Sequence, residues 1–300
     1  GQPELKVWLM PDSLSLSDGN DEIFWTDHSG NNYDFSAQSS TSPIFRSNGL
    51  NGHDYVEFSN SNNRIVRNPF DMPTDAVAVF MVLRTSDNGD GLVSYAVPSS
   101  NNEYLFYKSG DHNSYISGNN TDLNVGYNDG SWKIFAHQWR NSDGRLYLHI
   151  DGTEEASTTH QSGTSLISNG SLAIGGEQDA VDGGYTAGQD FDGDIAELIM
   201  YGSSLKQAER VVIENYLAEK YNLNGNLATD RYIPDDATYI IKLSGVGRES
   251  DGTNKLCSDG FVVTENGNFD IGDYIFAAYD GSANSINSAP SVVHGEIQSA

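Results

Sequence analysis

The sequence predicts an all-β protein: an antiparallel β-sandwich of jelly-roll type with one C-terminal amphipathic helix, followed by a small β-rich C-terminal segment. Three observations carry this reading. Short runs of β-branched, aromatic and aliphatic residues recur from Leu5 to Tyr201, each closed by Gly, Asn, Asp or Ser. That is the pattern of many short strands joined by tight turns. The apolar period then changes once, within Phe191–Leu223 (FDGDIAELIMYGSSLKQAERVVIENYLAEKYNL), from a compact strand to three- and four-residue steps. One helix closing a long β run fits a layered sandwich with a single capping element.

Leu5–Leu9 reads as the first strand, and Ile23–Trp25 as a short apolar run ahead of the oxygen-rich turn Asp27-His-Ser-Gly-Asn31. Pro43–Phe45 and Tyr55–Phe58 flank Ser47–Gly52, whose two Asn-Gly pairs favour positive-φ turns. Ala76–Leu83 (AVAVFMVL) is the most apolar run and is expected at the centre of a sheet. Gly91–Val97, Tyr104–Tyr107 and Ser114–Ser117 follow as strands. Lys133–Trp139 and Leu146–Ile150 form a hairpin-like pair across Asn141–Gly144, and Ser171–Gly175 is a further strand.

Asp194–Tyr201 reads as a strand buried on both faces, led in by Asp192-Gly193. Ser203–Tyr221 reads as the helix, with Ser204 as N-cap and Gln207 at capping-box spacing. Leu205, Ala208, Val212, Tyr216 and Leu217 line its apolar face. From Asn224 the composition turns linker-like, and Ala237–Leu243, Gly260–Thr264 and Asp273–Tyr279 are three more strand candidates. The expected domains are residues 1–225 and 226–300, the second too small to bury a large core alone.

With 42 acidic against 16 basic residues, the formal net charge of −26 argues against nucleic acid and anionic membranes as partners. It fits a solvated acidic surface, with some Asp- and Asn-rich turns suited to a hard cation such as Ca²⁺. The single cysteine, Cys257, excludes an internal disulfide framework. No apolar run approaches the ~20 residues that span a bilayer. The start at Gly-Gln-Pro-Glu, without a leader, and the end at Ser288–Ala300 are expected to be cuts through a longer, multidomain chain.

Several pieces, in order, carry a resemblance: Leu5–Leu9; Trp25–Asn31; Gly49–Gly52 with Tyr55–Phe58; Asp129-Gly-Ser-Trp132; Leu146–Gly152; and Phe191–Leu198 running into the helix. Over about the first 223 residues the sequence resembles the laminin-G-like, concanavalin A-like lectin/glucanase jelly rolls of large bacterial extracellular proteins. Ile240–Asp251 resembles a segment that follows such domains in bacterial surface adhesins. The resemblance implies an extracellular, cell-surface setting. It does not by itself fix the chemistry, since such sandwiches host lectins, glycosidases and lyases alike.

No catalytic constellation stands out. The glycosidases of the resembled superfamily carry alternate carboxylates on one strand; Asp190-Phe-Asp-Gly-Asp194 is the nearest stretch, and Gly193 makes it a turn. A lyase would need a poised His–Tyr pair; His137 and His149 lie in strands, where a histidine is more often a satisfied core residue. The expectation is no enzyme and no catalytic residue.

For a metal, the resemblance implies a structural calcium ion. Asp27 and Asn31 in the early turn would converge with Asp192, Asp194 and Glu197 if the first and last strands are neighbours, as in that family. The alternative is that Asp27 forms an Asx turn, Asp192 a hairpin turn, and Glu197 accepts a hydrogen bond within its strand. For a ligand, the long loop Gly176–Gln189 places Tyr185 amid Asp179, Asp182 and Gln189, the residue types that stack on sugar rings and grip hydroxyls. Tyr185 is alternatively a loop anchor. The expected function is a non-catalytic carbohydrate-binding module of a bacterial surface adhesin, stabilised by calcium and recognising a glycan on another cell or surface. The alternatives are a polysaccharide lyase or glycosidase of the same fold, and a structural or peptide-binding spacer.

Overall fold

The computed structural model describes residues 4–21, 23–37, 42–59, 62–228, 230–231, 242–256 and 270–279. The sandwich strands are β1 (Leu5–Leu9), β2 (Phe24–Trp25), β3 (Phe35–Ala37), β4 (Ile44–Leu50), β5 (His53–Phe58), β6 (Ile65–Phe70), β7 (Ala76–Thr85) and β8 (Gly89–Val97). They continue as β9 (Ser100–Ser109), β10 (Asp111–Ile116), β11 (Asn119–Asp122), β12 (Lys133–Arg140), β13 (Arg145–Ile150), β14 (Thr153–Thr159), β15 (Gly170–Ile174) and β16 (Gly193–Tyr201). The first sheet runs β14-β13-β12-β7-β16-β5-β4, with β1 also paired to β16; the second runs β11-β10-β9-β8-β15-β6-β3-β2. All the recorded pairings within the two sheets are antiparallel. The all-β sandwich expected from the sequence is what the chain builds.

Period-2 alternation decides which side chains meet between the sheets. Val77, Val79, Met81 and Leu83 of β7 share one core cluster with Val93 and Tyr95 of β8, Tyr104 and Phe106 of β9, and Leu172 and Ile174 of β15. Trp25 and Trp139, both fully buried, are among its largest members. β7 lies between β12 and β16, so the most apolar run is central, as its composition predicts. β16 changes neighbours along its length: Gly193–Ile195 pair with β5, whereas Leu198–Tyr201 pair with β1. The first and last strands of the sandwich are therefore adjacent.

Contacts divide the chain into two compact units. One is Glu4–Ile150 with Glu154–Ser204; the other gathers Asp151–Thr153 and the described residues from Leu205 onward. The second unit holds the helix α1 (Gln207–Tyr221) and a sheet in the order β18-β17-β19, from β17 (Lys242–Glu249), β18 (Gly252–Leu256) and β19 (Tyr274–Tyr279). Packing thus divides the chain ahead of residue 225, and α1 packs with this sheet: a Cβ added at Gly245 of β17 would stand 3.2 Å from Val212.

Two helix expectations are corrected. The N-cap is Lys206 rather than Ser204, with the Glu209 carboxylate accepting from the Lys206 backbone N–H at 2.9 Å. Glutamate at the third helical position reaches that N–H, so the helix starts where this reciprocal bond closes. α1 is also not amphipathic: every residue except Gln207 and Glu219 is buried. Arg210 and Glu214 pair within the helix at 2.5 Å through Glu214 Oε2, while Glu214 Oε1 is buried without a hydrogen-bond partner. Gly260–Thr264, the first part of Ala237–Leu243, and Cys257 lie outside the described residues.

Candidate functional site

The most built surface feature is the loop 176–190 between β15 and β16. Its ends are tied by an antiparallel bridge, Gly176 to Asp190, and a parallel bridge, Gly91 to Asp190. The Gly91 and Glu177 backbone N–H groups both donate to the Gln189 carbonyl, at 3.0 and 3.3 Å. Gly91 is required here: a Cβ on it would stand 2.5 Å from Glu177 N and 2.9 Å from Gln189 O. Gln178 pins the loop to the second sheet. Its Nε2 donates to the carbonyls of Ser94 (2.7 Å) and Ser171 (2.8 Å), and its backbone N–H to Ser94 Oγ (3.1 Å). Because Val93, Tyr95 and Leu172 point into the core, Ser94 and Ser171 mark the outer face of that sheet. The loop lies across it.

The four residues expected to contact a ligand all belong to this loop, with different surroundings. Asp179 is exposed and accepts from Asn101 Nδ2 at 2.8 Å. Asp182 sits at φ 56° in a tight turn, where Ala180 and Gly183 exchange backbone hydrogen bonds, and accepts from Asn68 Nδ2 at 3.3 Å. Gln189 contributes its carbonyl to the base of the loop. Tyr185 lies under Arg64, whose guanidinium carbon is 3.5 Å from the ring centroid. A cation thus covers one face of the ring. Burial raises the Tyr185 hydroxyl well above its ordinary pKa.

Three partners of the loop carry no local signal in the sequence. Arg64 Nη1 meets Asp190 Oδ1 at 3.4 Å, across 126 residues of chain. Asp190 Oδ2 accepts from the Asn62 backbone N–H at 3.1 Å. Glu177 is almost fully buried; with its amide turned to suit its neighbours, Asn102 donates to Glu177 Oε1 at 2.9 Å, while Oε2 is buried without a partner. Burial, and then the nearby charge of Asp179, push the Glu177 carboxyl up to about 7.

The five residues expected to hold calcium do not form a site. The strand adjacency that would unite them exists, but Trp8 occupies the meeting point. Asp27 Oδ1 accepts from the Trp8 backbone N–H at 2.9 Å, and Glu197 Oε1 accepts from the Trp8 indole N–H at 2.6 Å. The other Asp27 acceptor sites take Ser29 N, Ser29 Oγ and Tyr33 N. Asn31 turns its amide nitrogen onto the carbonyls of Leu5 and Lys6. Asp194 pairs with Arg84 Nε at 2.5 Å, and Asp192 presents its carbonyl to Thr85 Oγ1 at 2.6 Å. A calcium ion needs 6–8 converging oxygens, and these point at protein donors instead. Among the described residues no group of three His, Cys, Asp or Glu side chains is placed to hold a metal. These five residues do not fit the ion.

His137 lies inside the sandwich. Ser114 Oγ bridges His137 Nε2 (2.9 Å) and His112 Nε2 (3.2 Å), while the hydroxyls of Tyr104 and Tyr127 meet the remaining ring nitrogens at 3.2 and 3.4 Å. Both histidines, Ser114 and Tyr104 are fully buried. Burial and Lys108 lower His112 to about 3, and burial and His112 lower His137 well below its ordinary value. His112, His137, Ser114 and Tyr104 have no solvent-facing atom, and this chain of polar groups satisfies the core.

Two eight-stranded antiparallel sheets over one core, with a pinned loop across an outer face, define a lectin-type sandwich. The chain belongs to the Pentaxin family, whose sequence profile matches residues 56–232, more than half of it. Serum amyloid P-component of Rattus norvegicus is 35% identical over 117 residues, covering 38% of this chain and 51% of that protein. Neuronal pentraxin-1 of Homo sapiens is 31% identical over 119 residues, covering 39% of this chain and 28% of that protein. The chain therefore spans about half or less of the length of these relatives. Among solved structures, domain 4 of AbnA, a GH43 extracellular arabinanase from Geobacillus stearothermophilus, aligns with 70% of this chain and 97% of that one at 15% identity and a TM-score of 0.51. The likeness is one of fold. A heptameric SAP-like pentraxin from Limulus polyphemus aligns with 53% of this chain and 81% of that one, at 18% identity and a TM-score of 0.48.

Proposed function

We propose that the chain is a non-catalytic, carbohydrate-binding module of an extracellular, surface-attached adhesin, and that loop 176–190 with the adjoining outer face of the second sheet receives the glycan. The observation that carries this is the loop's construction. Gln178 and the Asp190 bridges hold it rigid, while Asp179 beside Asn101, and Asp182 beside Asn68, stand at its rim. Fixed carboxylate and amide groups on a rigid loop are the means by which sandwiches grip sugar hydroxyls. Domain 4 of the AbnA arabinanase, of like fold, is described in complex with arabinotriose, which favours a glycan over other ligand classes. Tyr185 serves as an anchor of the loop rather than a stacking platform, since Arg64 covers its ring.

The setting on a bacterial surface and the glycan on another cell are parts of the same proposal. The acidic charge of −26 supports a partner other than nucleic acid or an anionic membrane. No described helix is long and apolar enough to cross a membrane. A glycan array run with the whole chain, alone and with Asp179→Ala and Asp182→Ala, tests the proposal. Binding that one or both substitutions weaken at least tenfold is the expected result. An array blank in every condition, or binding indifferent to both changes, would overturn it.

A further inference from the structure

Asparagine followed by glycine is a chemically labile dipeptide, because glycine has no side chain to shield its backbone nitrogen from the asparagine amide. The chain has six such pairs, beginning at Asn48, Asn51, Asn88, Asn169, Asn224 and Asn266; the last lies outside the described residues. The glycine nitrogen must turn onto the asparagine Cγ, so the firmness with which a fold holds the dipeptide backbone sets the rate. Four of the five described pairs are held. The Asn48 N–H donates to Asp54 Oδ1 at 2.8 Å, and a Cβ on Gly49 would run into the Tyr55 ring. Gly89 pairs with Ser109 in the β8–β9 ladder, and the Asn88 carbonyl accepts from the Gly110 N–H at 2.9 Å. Gly170 donates its N–H to the Tyr95 hydroxyl at 2.7 Å, in a buried setting. Asn224 opens the 3-10 turn Asn224–Asn226, its carbonyl accepting from the Leu227 N–H at 3.1 Å; helical backbone tilts each Cβ away from the following N–H.

We infer that Asn51 is a site of spontaneous covalent modification, because Asn51-Gly52 is the described pair whose backbone the fold holds least. Both residues are exposed and form the two-residue turn between Leu50 of β4 and His53 of β5, which pair with each other. Their φ angles of 51° and 93° fit the type I′ turn that Asn-Gly favours. In such a turn the pair on either side closes the ladder, and the glycine N–H stands outside it. No atom lies within 4 Å of a Cβ built on Gly52, so the peptide has room to rotate. Gly52 N attacks Asn51 Cγ, and its proton leaves with the side-chain nitrogen as ammonia, giving a succinimide ring. Water then opens the ring. Cleavage at Cγ yields aspartate; cleavage at the Asn51 backbone carbonyl yields isoaspartate, with the chain now running through the side chain. Either product adds a negative charge next to a cluster that already holds two carboxylates. In it, Asp12 meets His53 Nδ1 and accepts from the Asp54 N–H, both at 2.8 Å. Isoaspartate also lengthens a turn sized for two residues, which unseats β4, the end strand of the first sheet, from its closing pair with β5.

The test ages the full chain at mildly alkaline pH, folded and in urea, and follows each pair by peptide mapping that separates aspartyl from isoaspartyl products. In the folded chain Asn51 is expected to react at least about tenfold faster than Asn48, Asn88, Asn169 and Asn224, which react only after local opening. In urea, where no fold holds any pair, the five rates are expected to converge. Asn51→Gln, whose longer side chain would have to close a six-membered ring, is expected to lose the early acidic product and leave the other four rates unchanged. A folded chain in which another described pair leads, or in which all five keep pace, overturns the inference. So does a lead of Asn51 that persists in urea, since neighbours in sequence rather than the fold would then set it, and so does an early acidic product that survives Asn51→Gln. If Asn51→Gln does not fold, the comparison of the native chain with and without urea decides alone. The readout involves no glycan, so this inference and the glycan-binding reading fail separately.

Discussion

Trp8 shows how one side chain changes the meaning of several carboxylates. Its backbone N–H satisfies Asp27 and its indole N–H satisfies the fully buried Glu197, joining the early turn to β16. Trp8→Phe keeps an aromatic ring but removes the indole donor and part of the ring volume, depriving a buried carboxylate of that bond. The expected loss is about 2 kcal/mol, read from urea unfolding midpoints; an unchanged midpoint would show that the bond to Trp8 is dispensable. Glu177 makes a second prediction at this scale. Its carboxyl, raised from 4.5 to about 7, holds a proton in the folded protein that the unfolded chain has lost. Its contribution is complete below pH 4.5 and disappears as pH rises through 7. Glu177→Gln, measured at pH 6 and pH 8, should therefore narrow the difference between the two midpoints. A wider difference would mean the carboxyl is ionised throughout.

At the scale of elements, the strands were largely legible and the partnerships were not. Ala76–Leu83 announced a central strand because eight successive apolar residues leave no face for water. The Lys133–Trp139 and Leu146–Ile150 hairpin followed from the turn between them, and β12 and β13 pair as expected. The helix is legible by period, but its start is not, because Ser204 and Gln207 have the same spacing that Lys206 and Glu209 use. Its buried polar face was invisible, since partners such as Arg210 and Glu214 look like a solvated i,i+4 pair. Loop 176–190 was found by its length, yet Arg64, Asn62 and Gly91 could not be read beside it, because long-range pairing has no local signature. Gly91 gives the prediction for this scale. Gly91→Ala places a methyl against Glu177 N and Gln189 O. It should cost about 1–3 kcal/mol and loosen the loop, visible as faster amide exchange at Glu177 and Gly91. Native exchange there would show that the loop does not need the close approach.

For the whole molecule, the decisive feature is a polar chain inside an apolar core. His112, at about 3, and His137, lower than usual, stay neutral where free histidines at 6.5 are protonated. The unfolded chain therefore binds more protons below pH 6.5, and stability falls as pH drops from 6.5 towards 3. Two histidines give a slope of up to about 2.7 kcal/mol per pH unit. Glu177 acts in the opposite sense between 4.5 and 7, so the slope should be steeper in Glu177→Gln. Urea titrations at half-unit steps measure it; a flat profile between pH 6 and 4 in that variant would mean the histidines are solvated.

The pairing of β1 with β16 has a consequence in time rather than in energy. Leu5 lies against Tyr201 and Leu9 against Leu198, so the first strand made waits for the last strand of its sandwich to leave the ribosome. Until then Val7 and Leu9, both fully buried in the finished fold, have no sheet to enter. Chain closures of this span make folding slow and leave apolar edges open during synthesis. Nascent chains arrested before residue 193 should therefore remain bound by chaperones, and those arrested well beyond residue 201 should be released with the N-terminal strand protected from protease.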